Sequence, residues 1–223
     1  TSLLSEEIPL SIHRYPSGED YGTWVVPDQW DVKRAVLSDG DKVIASYDDH
    51  PLFLAPYSHS FTGWVSREEL LEHVRSMPEN PEVYYYEHRL AYDFRRRLNE
   101  WRISLPHSLV LQLDKPDYFV DIQVETTPGQ LLVGASPIRG RHDYTFAFLT
   151  HLCHIGQAND GLAGVAVGVE VMKRIRKEFP QPNYNYQLLI MPEVIGSTAY
   201  LVSNEDRIDS YLGAIFIEMA GIR

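Results

Sequence analysis

The apolar positions of the first hundred residues follow the rhythms of short strands and of one amphipathic helix. Residues 43–57 are β-like and are broken by Pro51 and Pro56. Residues 66–76 form a predicted helix, because Ser66 and Glu69 have the spacing of a capping box. Its apolar residues recur at helical spacing: Leu70, Leu71 and Val74. A second helical stretch is predicted over residues 84–102.

The middle of the chain has the pattern of a small β module. Residues 118–125 and 130–134 are strand-like and flank Pro128-Gly129, which is a turn signal. The sequence therefore predicts a β-hairpin at this turn. We expect the hairpin to belong to a small β domain built from residues 103–137.

The last third of the chain changes to longer apolar runs separated by helical segments. Residues 144–150 are almost continuously apolar, as in a strand that is buried on both faces. The further predicted elements are a helix over 164–177, a strand over 186–191, a short helix from 198 to 204 and a strand over 212–219. This alternation predicts an α/β fold with a parallel or mixed sheet and crossover helices.

Charge and composition exclude some classes of function. The 223 residues carry a formal net charge of −11, which argues against a nucleic-acid partner because phosphate binding needs a basic surface. No apolar run approaches the roughly 18 residues of a membrane-spanning helix, so we expect no membrane partner. The N-terminal segment has no initiator Met and no signal-peptide pattern. Both ends look cut, and we expect the chain to be part of a longer one.

Cys153 is the only cysteine, so the chain can form no internal disulfide and no cysteine-based structural zinc site. A reducing, cytoplasmic location is the simplest expectation. Cys153 lies between His151 and His154, where a nucleophilic cysteine is conceivable. Because we expect it on the strand face opposite its neighbours, a packed thiol is favoured.

Potential metal ligands follow each of the three predicted strands of the last third. His151 and His154 follow the first strand, and Asp160 precedes the next helix. Glu193 follows the second strand, and Glu218 lies in the third. The carboxyl ends of parallel strands share one edge of a sheet, so these side chains can converge. Imidazole and carboxylate ligands suit Zn²⁺, with Mn²⁺ or Co²⁺ as alternatives.

Each of these residues also has a structural interpretation. A histidine at a strand end is often structural, and Asp160 could be a plain helix cap. Glu193 could be a loop acid facing solvent. Glu218 lies between Ile217 and Met219, in a segment expected to be buried, so it needs a metal ion or a basic partner.

Three motifs resemble proteins with an aminopeptidase-like domain, which are often encoded near polysaccharide-biosynthesis genes. The run T-H-L-C-H…A-N-D-G-L-A-G-V (150–165) resembles their C-H-P-S-x-A-N-D-N-x-S-G. The run P-E-V-I-G-S-T-A-Y-L (192–201) resembles their P-E-T-I-G-S-I-A-Y-L. The N-terminal part matches through W-V-V-P-D-Q-W (24–30), Tyr57-Ser58 and Glu68-Glu69-Leu70. The resemblance covers nearly the whole chain.

That family is similar, more distantly, to the zinc aminopeptidases that include glutaminyl cyclase. The resemblance implies a three-layer αβα fold with a mixed, mostly parallel sheet and a small β insertion. The implied domains are 1–102, the N-terminal part; 103–137, the β insertion; and 138–223, the half with the metal site.

The resemblance also implies a ligand set and one or two zinc ions. Asp160 would be the central or bridging ligand, and Glu193 and Glu218 would be further ligands. The strand-end histidine would be His154 by the family's C-H-P motif or His151 by strand position, and His154 is favoured. His151 and Asn159 would then be alternative ligands or would support the ligands.

The chain departs from the zinc aminopeptidase pattern at two positions that bear on chemistry. Pro192 stands where those enzymes have a general-base glutamate, so Glu193 would have to act as the base, the base would lie elsewhere, or the activity would be lost. The late histidine ligand of those enzymes is not in this chain.

The favoured hypothesis is a zinc-dependent aminopeptidase-like hydrolase with Glu193 as its catalytic residue. Its substrate would be a small peptide, or an amide on an amino sugar. The alternative is a catalytically inactive binding or assembly module in a surface-polysaccharide pathway. A third hypothesis is an acyl transferase or cyclase. The sequence leaves homo-oligomerisation open.

Overall fold

The computed structural model of the chain describes residues 2–87 and 100–221. Its strands, in chain order, are β1 (Ser11–Pro16), β2 (Asp20–Tyr21), β3 (Trp24–Val25), β4 (Gln29–Ser38), β5 (Val43–Ser46), β6 (Phe61–Ser66), β7 (Val74–Arg75), β8 (Ile103–Ser104), β9 (Asp117–Thr127), β10 (Gln130–Ile138), β11 (Thr145–His151), β12 (Asn185–Met191) and β13 (Tyr211–Phe216). Its helices are α1 (Ser2–Glu7), α2 (Arg67–His73), α3 (His107–Val110), α4 (Leu162–Glu178) and α5 (Ile195–Val202), followed by a 3₁₀ helix, Glu205–Ser210.

The chain divides into two units, which we call the α/β unit (Thr1–Pro27 and Gly129–Arg223) and the β-rich unit (Asp28–Pro128). The α/β unit contains a five-stranded sheet in the order β1-β10-β12-β11-β13. Strand β11 runs parallel to β12 and β13, whereas β10 runs antiparallel to β1 and β12. The mixed sheet predicted from the apolar runs is therefore confirmed.

Helices cover both faces of this sheet. Leu188 and Ile190 of β12 pack with residues of α4 in one hydrophobic cluster. Gln187 directly precedes Leu188 in β12 and donates a hydrogen bond to the Tyr200 hydroxyl of α5. Because successive side chains of a strand point to opposite faces, α4 and α5 lie on opposite sides of the sheet. This is the predicted three-layer αβα arrangement.

The β-rich unit is built around a four-stranded antiparallel sheet in the order β5-β4-β9-β6. Its core includes Leu37, Phe53, Leu70, Val120 and Ile122, all fully buried. Val120 and Ile122 alternate with the more polar Asp121 and Gln123, so one face of β9 is buried.

The predicted hairpin around Pro128-Gly129 is wrong. Strand β9, which precedes this turn, pairs with β4 and β6, whereas β10, which follows it, pairs with β1 and β12. Pro128 and Gly129 are instead the point where the chain passes from the β-rich unit to the α/β unit. Period-two alternation identified both strands correctly, but it carries no information about a strand's partner.

The unit boundaries differ from the predicted domains. The β module does not begin at residue 103, because β9 is the central partner of strands that come from residues 29–38 and 61–66. Residues 1–27 belong to the α/β unit, since β1 lies at one edge of its five-stranded sheet.

The helix predicted after Ser66 is confirmed as α2, and the Ser66 hydroxyl accepts a hydrogen bond from the Glu69 amide at 3.1 Å. It ends at His73, because Val74 begins β7. Most of the second predicted helical stretch, 84–102, lies outside the described residues. Across the described ranges, the helices are all too short or too polar to traverse a lipid bilayer.

Candidate metal centre

Three parallel strands deliver the candidate ligands to one edge of the α/β sheet. His151 is the last residue of β11, and it pairs in register with Met191, the last residue of β12. Glu193 and Glu218 each lie two residues beyond a strand end. The sheet topology therefore brings together side chains that are far apart in sequence, as the strand-end pattern predicts.

Two glycines allow backbone segments next to these candidate ligands to pack closely. Gly161, directly after Asp160, has a φ of +98°, a conformation that side chains rarely adopt. Gly164 lies in the first turn of α4, and a Cβ at this position would collide with the carbonyl oxygen of Ile217. The small residues at the start of this helix thus allow it to approach the segment that carries Glu218.

His151 is the centre of the cluster. Its side chain is only 1% exposed, and its Nε2 atom lies 3.2 Å from Asp160 Oδ1 and 3.9 Å from Glu218 Oε1. The Nε2 atom is buried and has no hydrogen-bond partner of acceptable geometry. One ligand atom from each of these three residues lies within 4.8 Å of the other two. A buried polar atom without a partner is costly, and a cation between it and the two carboxylates would remove that cost.

The opposite edge of the His151 ring is also engaged. Gln157 Nε2 lies 3.3 Å from Nδ1, and the Sγ atom of Cys153 lies 3.5 Å from the same nitrogen. Gln157 also accepts a hydrogen bond from the Cys153 amide through its Oε1 atom. These contacts fix the plane of the imidazole. The sequence gives no signal for the role of Gln157.

Cys153 lies on the surface, so the expectation of a packed thiol is wrong. Strand β11 ends at His151, and residues beyond that end no longer alternate between its faces. Partial desolvation raises the pKa of the Cys153 thiol, and the charges of Glu193 and Asp160 act in the same direction. His151, Cys153 and Glu193 form a second group whose potential ligand atoms lie within 4.8 Å of one another.

Asp160 lies between the two histidines. Its Oδ1 atom faces His151, and its Oδ2 atom lies 3.5 Å from His154 Nε2. The Nδ1 atom of His154 donates to the carbonyl oxygen of Ile155 at 3.0 Å. In a neutral ring, Nε2 then carries the lone pair. One carboxylate contacting two imidazoles through different oxygens is the arrangement of a ligand that can bridge two metal ions.

The remaining predicted residues have less specific surroundings. Asn159 directly precedes Asp160, and its side chain makes no hydrogen bond within the described ranges. Glu218 is 40% exposed and lies beyond the end of β13, so the expected burial of this carboxylate in a strand is wrong. Pro192 lies between β12 and Glu193 and has no titratable group.

Both glutamates precede a strained backbone position. Val194 has a φ of +62° and Met219 a φ of +50°, whereas β-branched and bulky residues rarely adopt positive φ. Such strain costs of order 1–3 kcal/mol and is concentrated at functional sites. The fold holds the segments after Glu193 and Glu218 in costly conformations, which is expected where side chains must be placed for chemistry.

Comparison with known proteins places this geometry in a family. The profile of the family described as "Domain of unknown function (DUF4910)" matches residues 1–223. A curated protein of Clostridium acetobutylicum, named "Putative polysaccharide biosynthesis protein with aminopeptidase-like domain", is 30% identical over 226 residues. The match covers 99% of this chain and 50% of that protein, so the chain spans about half the length of this relative.

Solved structures show the same fold. The crystal structure of a "putative peptidase" from Clostridium acetobutylicum has a TM-score of 0.88 at 27% identity, covering 99% of this chain and 50% of that one. The zinc aminopeptidase BSAP of Bacillus subtilis has a TM-score of 0.61 at 11% identity, covering 99% and 61%. A peptidase M28 precursor of Shewanella amazonensis has a TM-score of 0.57 at 12% identity, covering 96% and 62%. The chain is a member of the DUF4910 family and has the α/β fold of the M28 aminopeptidases.

Proposed function

We propose that the chain is a metal-dependent hydrolase that cleaves an amide bond in a small peptide or an amino-sugar derivative. The observation that carries the proposal is the buried, unpartnered Nε2 atom of His151 facing Asp160 and Glu218. A nitrogen and carboxylate oxygens form the ligand chemistry of zinc, with manganese or cobalt as alternatives. The zinc aminopeptidases that share the fold support the same choice of metal.

In this proposal His151, Asp160 and Glu218 hold the first ion. His154 and the second oxygen of Asp160, which lie 3.5 Å apart, would hold a second ion. A bound divalent ion supplies Lewis acidity toward the substrate carbonyl and lowers the pKa of a coordinated water. Metal binding through Nε2 would place the ring proton of His151 on Nδ1. The Cys153 sulfur lies within reach of that proton as an acceptor, and the Gln157 amide would have to present its oxygen there in place of its NH₂ group.

Glu193 is the residue proposed to move the proton. It belongs to the group around His151 and lies two residues beyond a strand end. Its carboxylate accepts the proton that the attacking water loses as the oxygen–carbon bond forms. It returns that proton to the nitrogen as the carbon–nitrogen bond breaks. Pro192, its neighbour, cannot perform this step, so a single glutamate carries it.

A second candidate function is a binding or assembly module that retains the fold without hydrolysis. Pro192 favours it, because the side chain directly before Glu193 contributes no base. The name of the Clostridium acetobutylicum relative suggests a polysaccharide pathway as its setting.

Metal analysis and activity assays on the same protein preparations separate the two candidates. We expect one or two zinc ions per chain in the wild type, and at least a tenfold weaker zinc affinity in His151→Gln and Asp160→Asn. Asp209→Asn is the matched control, because this exposed acid lies on the 3₁₀ helix away from the cluster. Aminoacyl anilides and N-acetylated amino sugars are the first substrates to assay.

Zinc binding with hydrolysis of either substrate class supports the hydrolase. Zinc binding without turnover of any amide favours the binding module. Absence of zinc from the wild type, or equal loss in Asp209→Asn, contradicts a metal centre at these residues.

A further inference from the structure

A cavity lies at the opposite ends of the strands from the metal centre. It has a volume of about 190 Å³ and includes Thr145 and Asn185, the first residues of β11 and β12. The seven residues of β11 separate it from His151, a span of about 20 Å at roughly 3.3 Å per residue. The volume far exceeds the about 10–15 Å³ that a single water requires. The cavity is therefore large enough for a small solute and is distinct from the metal centre.

Its lining is cationic. Arg139 and Arg207 both contribute to the wall, and none of the lining residues is an acid. Within the described ranges, neither guanidinium has a carboxylate within ion-pair distance. Two unpaired arginines at one cavity are notable in a chain whose formal net charge is −11. They place two positive charges at the cavity wall, where an anion could pair with them.

Two of the lining residues, Gln187 and Tyr200, belong to a buried polar network that also includes Tyr211. Gln187 donates to the Tyr200 hydroxyl at 2.9 Å and accepts from the Tyr211 hydroxyl at 2.5 Å. The two hydroxyl oxygens lie 3.5 Å apart. Burial raises the pKa of Tyr211, and its contact with Tyr200 raises it further, so the phenol stays neutral. The network therefore adds no negative charge that would repel an anion.

Further donors line the same wall. Asn185 uses its Oδ1 atom to accept from the Gly140 amide, which leaves its NH₂ group as a donor. The His13 ring packs edge-on against Tyr200, with ring centroids 5.3 Å apart. Guanidinium and amide donors around a space without acids are the complement of an oxyanion.

We propose that this cavity binds a small molecule through its oxyanion group, a phosphate or a carboxylate, with Arg139 and Arg207 as the principal contacts. The site is independent of the metal centre. It adds an anion-binding function to the α/β unit, whatever reaction the metal centre performs.

Isothermal titration calorimetry with two probes tests the proposal at constant ionic strength. Inorganic phosphate tests the phosphate source of the oxyanion, and succinate tests the carboxylate source. We expect saturable binding of one of them at one site per chain. Arg139→Gln and Arg207→Gln should each weaken it at least tenfold, and Arg207→Lys should recover part of the loss. Asp160→Asn should leave the affinity unchanged, which separates this site from anion binding at a metal.

Arg174→Gln is the matched control, because it removes the same charge from α4, where the side chain is 71% exposed. Circular dichroism of each variant verifies that the fold is intact. The proposal is overturned if neither probe saturates, if both cavity variants bind as the wild type does, or if Arg174→Gln weakens binding equally.

Discussion

Replacing Gly164 with alanine tests whether close packing at the start of α4 positions the proposed metal ligand Glu218. Gly164 is buried in the first turn of α4. By helix propensity alone, alanine would stabilise the helix by about 1 kcal/mol. A Cβ at this position, however, would lie far inside 3.0 Å from the Ile217 carbonyl oxygen and 2.8 Å from Thr150 Oγ1. Backbone cannot rotate away as a side-chain end can, so overpacking of about 1–3 kcal/mol opposes the gain.

We therefore expect Gly164→Ala to lower the free energy of unfolding by up to about 2 kcal/mol, despite its better helix propensity. Ile217 also donates its amide to the Leu149 carbonyl and directly precedes Glu218. Its displacement should move the Glu218 carboxylate and weaken zinc binding by about tenfold or more.

Gly168→Ala is the matched control in the same helix. Its Cβ would meet Leu188 Cδ1 at 2.7 Å, which is the end of a flexible side chain. This variant should unfold at a free energy within about 1 kcal/mol of the wild type and should bind zinc normally. Urea denaturation and zinc competition titration measure both quantities. A Gly164→Ala protein as stable and as zinc-competent as the wild type would refute the argument.

Three further outcomes are expected. Glu193→Gln should reduce kcat by about 10²–10⁴ while zinc content is retained, and loss of zinc together with activity would instead make Glu193 a ligand. Ser66→Ala should lower the free energy of unfolding by about 1 kcal/mol, measured by urea denaturation, because the hydroxyl caps α2; an unchanged value would remove its role as a cap. Burial raises the pKa of Asp121, but hydrogen bonds from Gln123, Arg34 and Thr62 outweigh this and hold it below the ordinary 3.8. A depressed carboxyl pKa stabilises the fold above the unfolded pKa and loses that contribution as pH falls through the folded value. Urea midpoints between pH 5 and pH 2 should therefore fall more steeply for the wild type than for Asp121→Asn, and parallel curves would contradict this.

The parallel strands were predictable because their physical signal is local. Residues 144–150 and 186–191 are mostly apolar, as expected of central strands whose two faces are covered by helices. The structure places β11 and β12 within one residue of these predictions. The candidate ligands were predictable from the same signal, because a strand end fixes where the side chains after it emerge.

Strand pairing and the start of α5 were not predictable in the same way. Ser197 and Thr198 are residues that favour helix caps, yet both hydroxyls donate to the Val194 carbonyl from within the first turn. The helix begins earlier, at Ile195, directly after Val194, which has a φ of +62°. No local preference predicts positive φ for valine, so tertiary packing must impose it.

The two histidines show the limit of motif reasoning at the site. The family's C-H-P motif favours His154, and its role as a ligand stays a prediction. In the structure His151 is the buried residue and belongs to both ligand groups, whereas His154 meets the other oxygen of Asp160. Sequence spacing could not separate these roles, because they depend on the residue at which β11 ends. The strand ends at His151, and His154 lies in the segment beyond it.

Anomalous diffraction at the zinc absorption edge, on crystals of the zinc-loaded protein, tests the central claim most directly. The account predicts a peak within about 2.0–2.2 Å of His151 Nε2 and of carboxylate oxygens from Asp160 and Glu218. A second peak between Asp160 and His154 would establish the two-ion arrangement. Full zinc loading with no peak at His151 would contradict the metal centre described above.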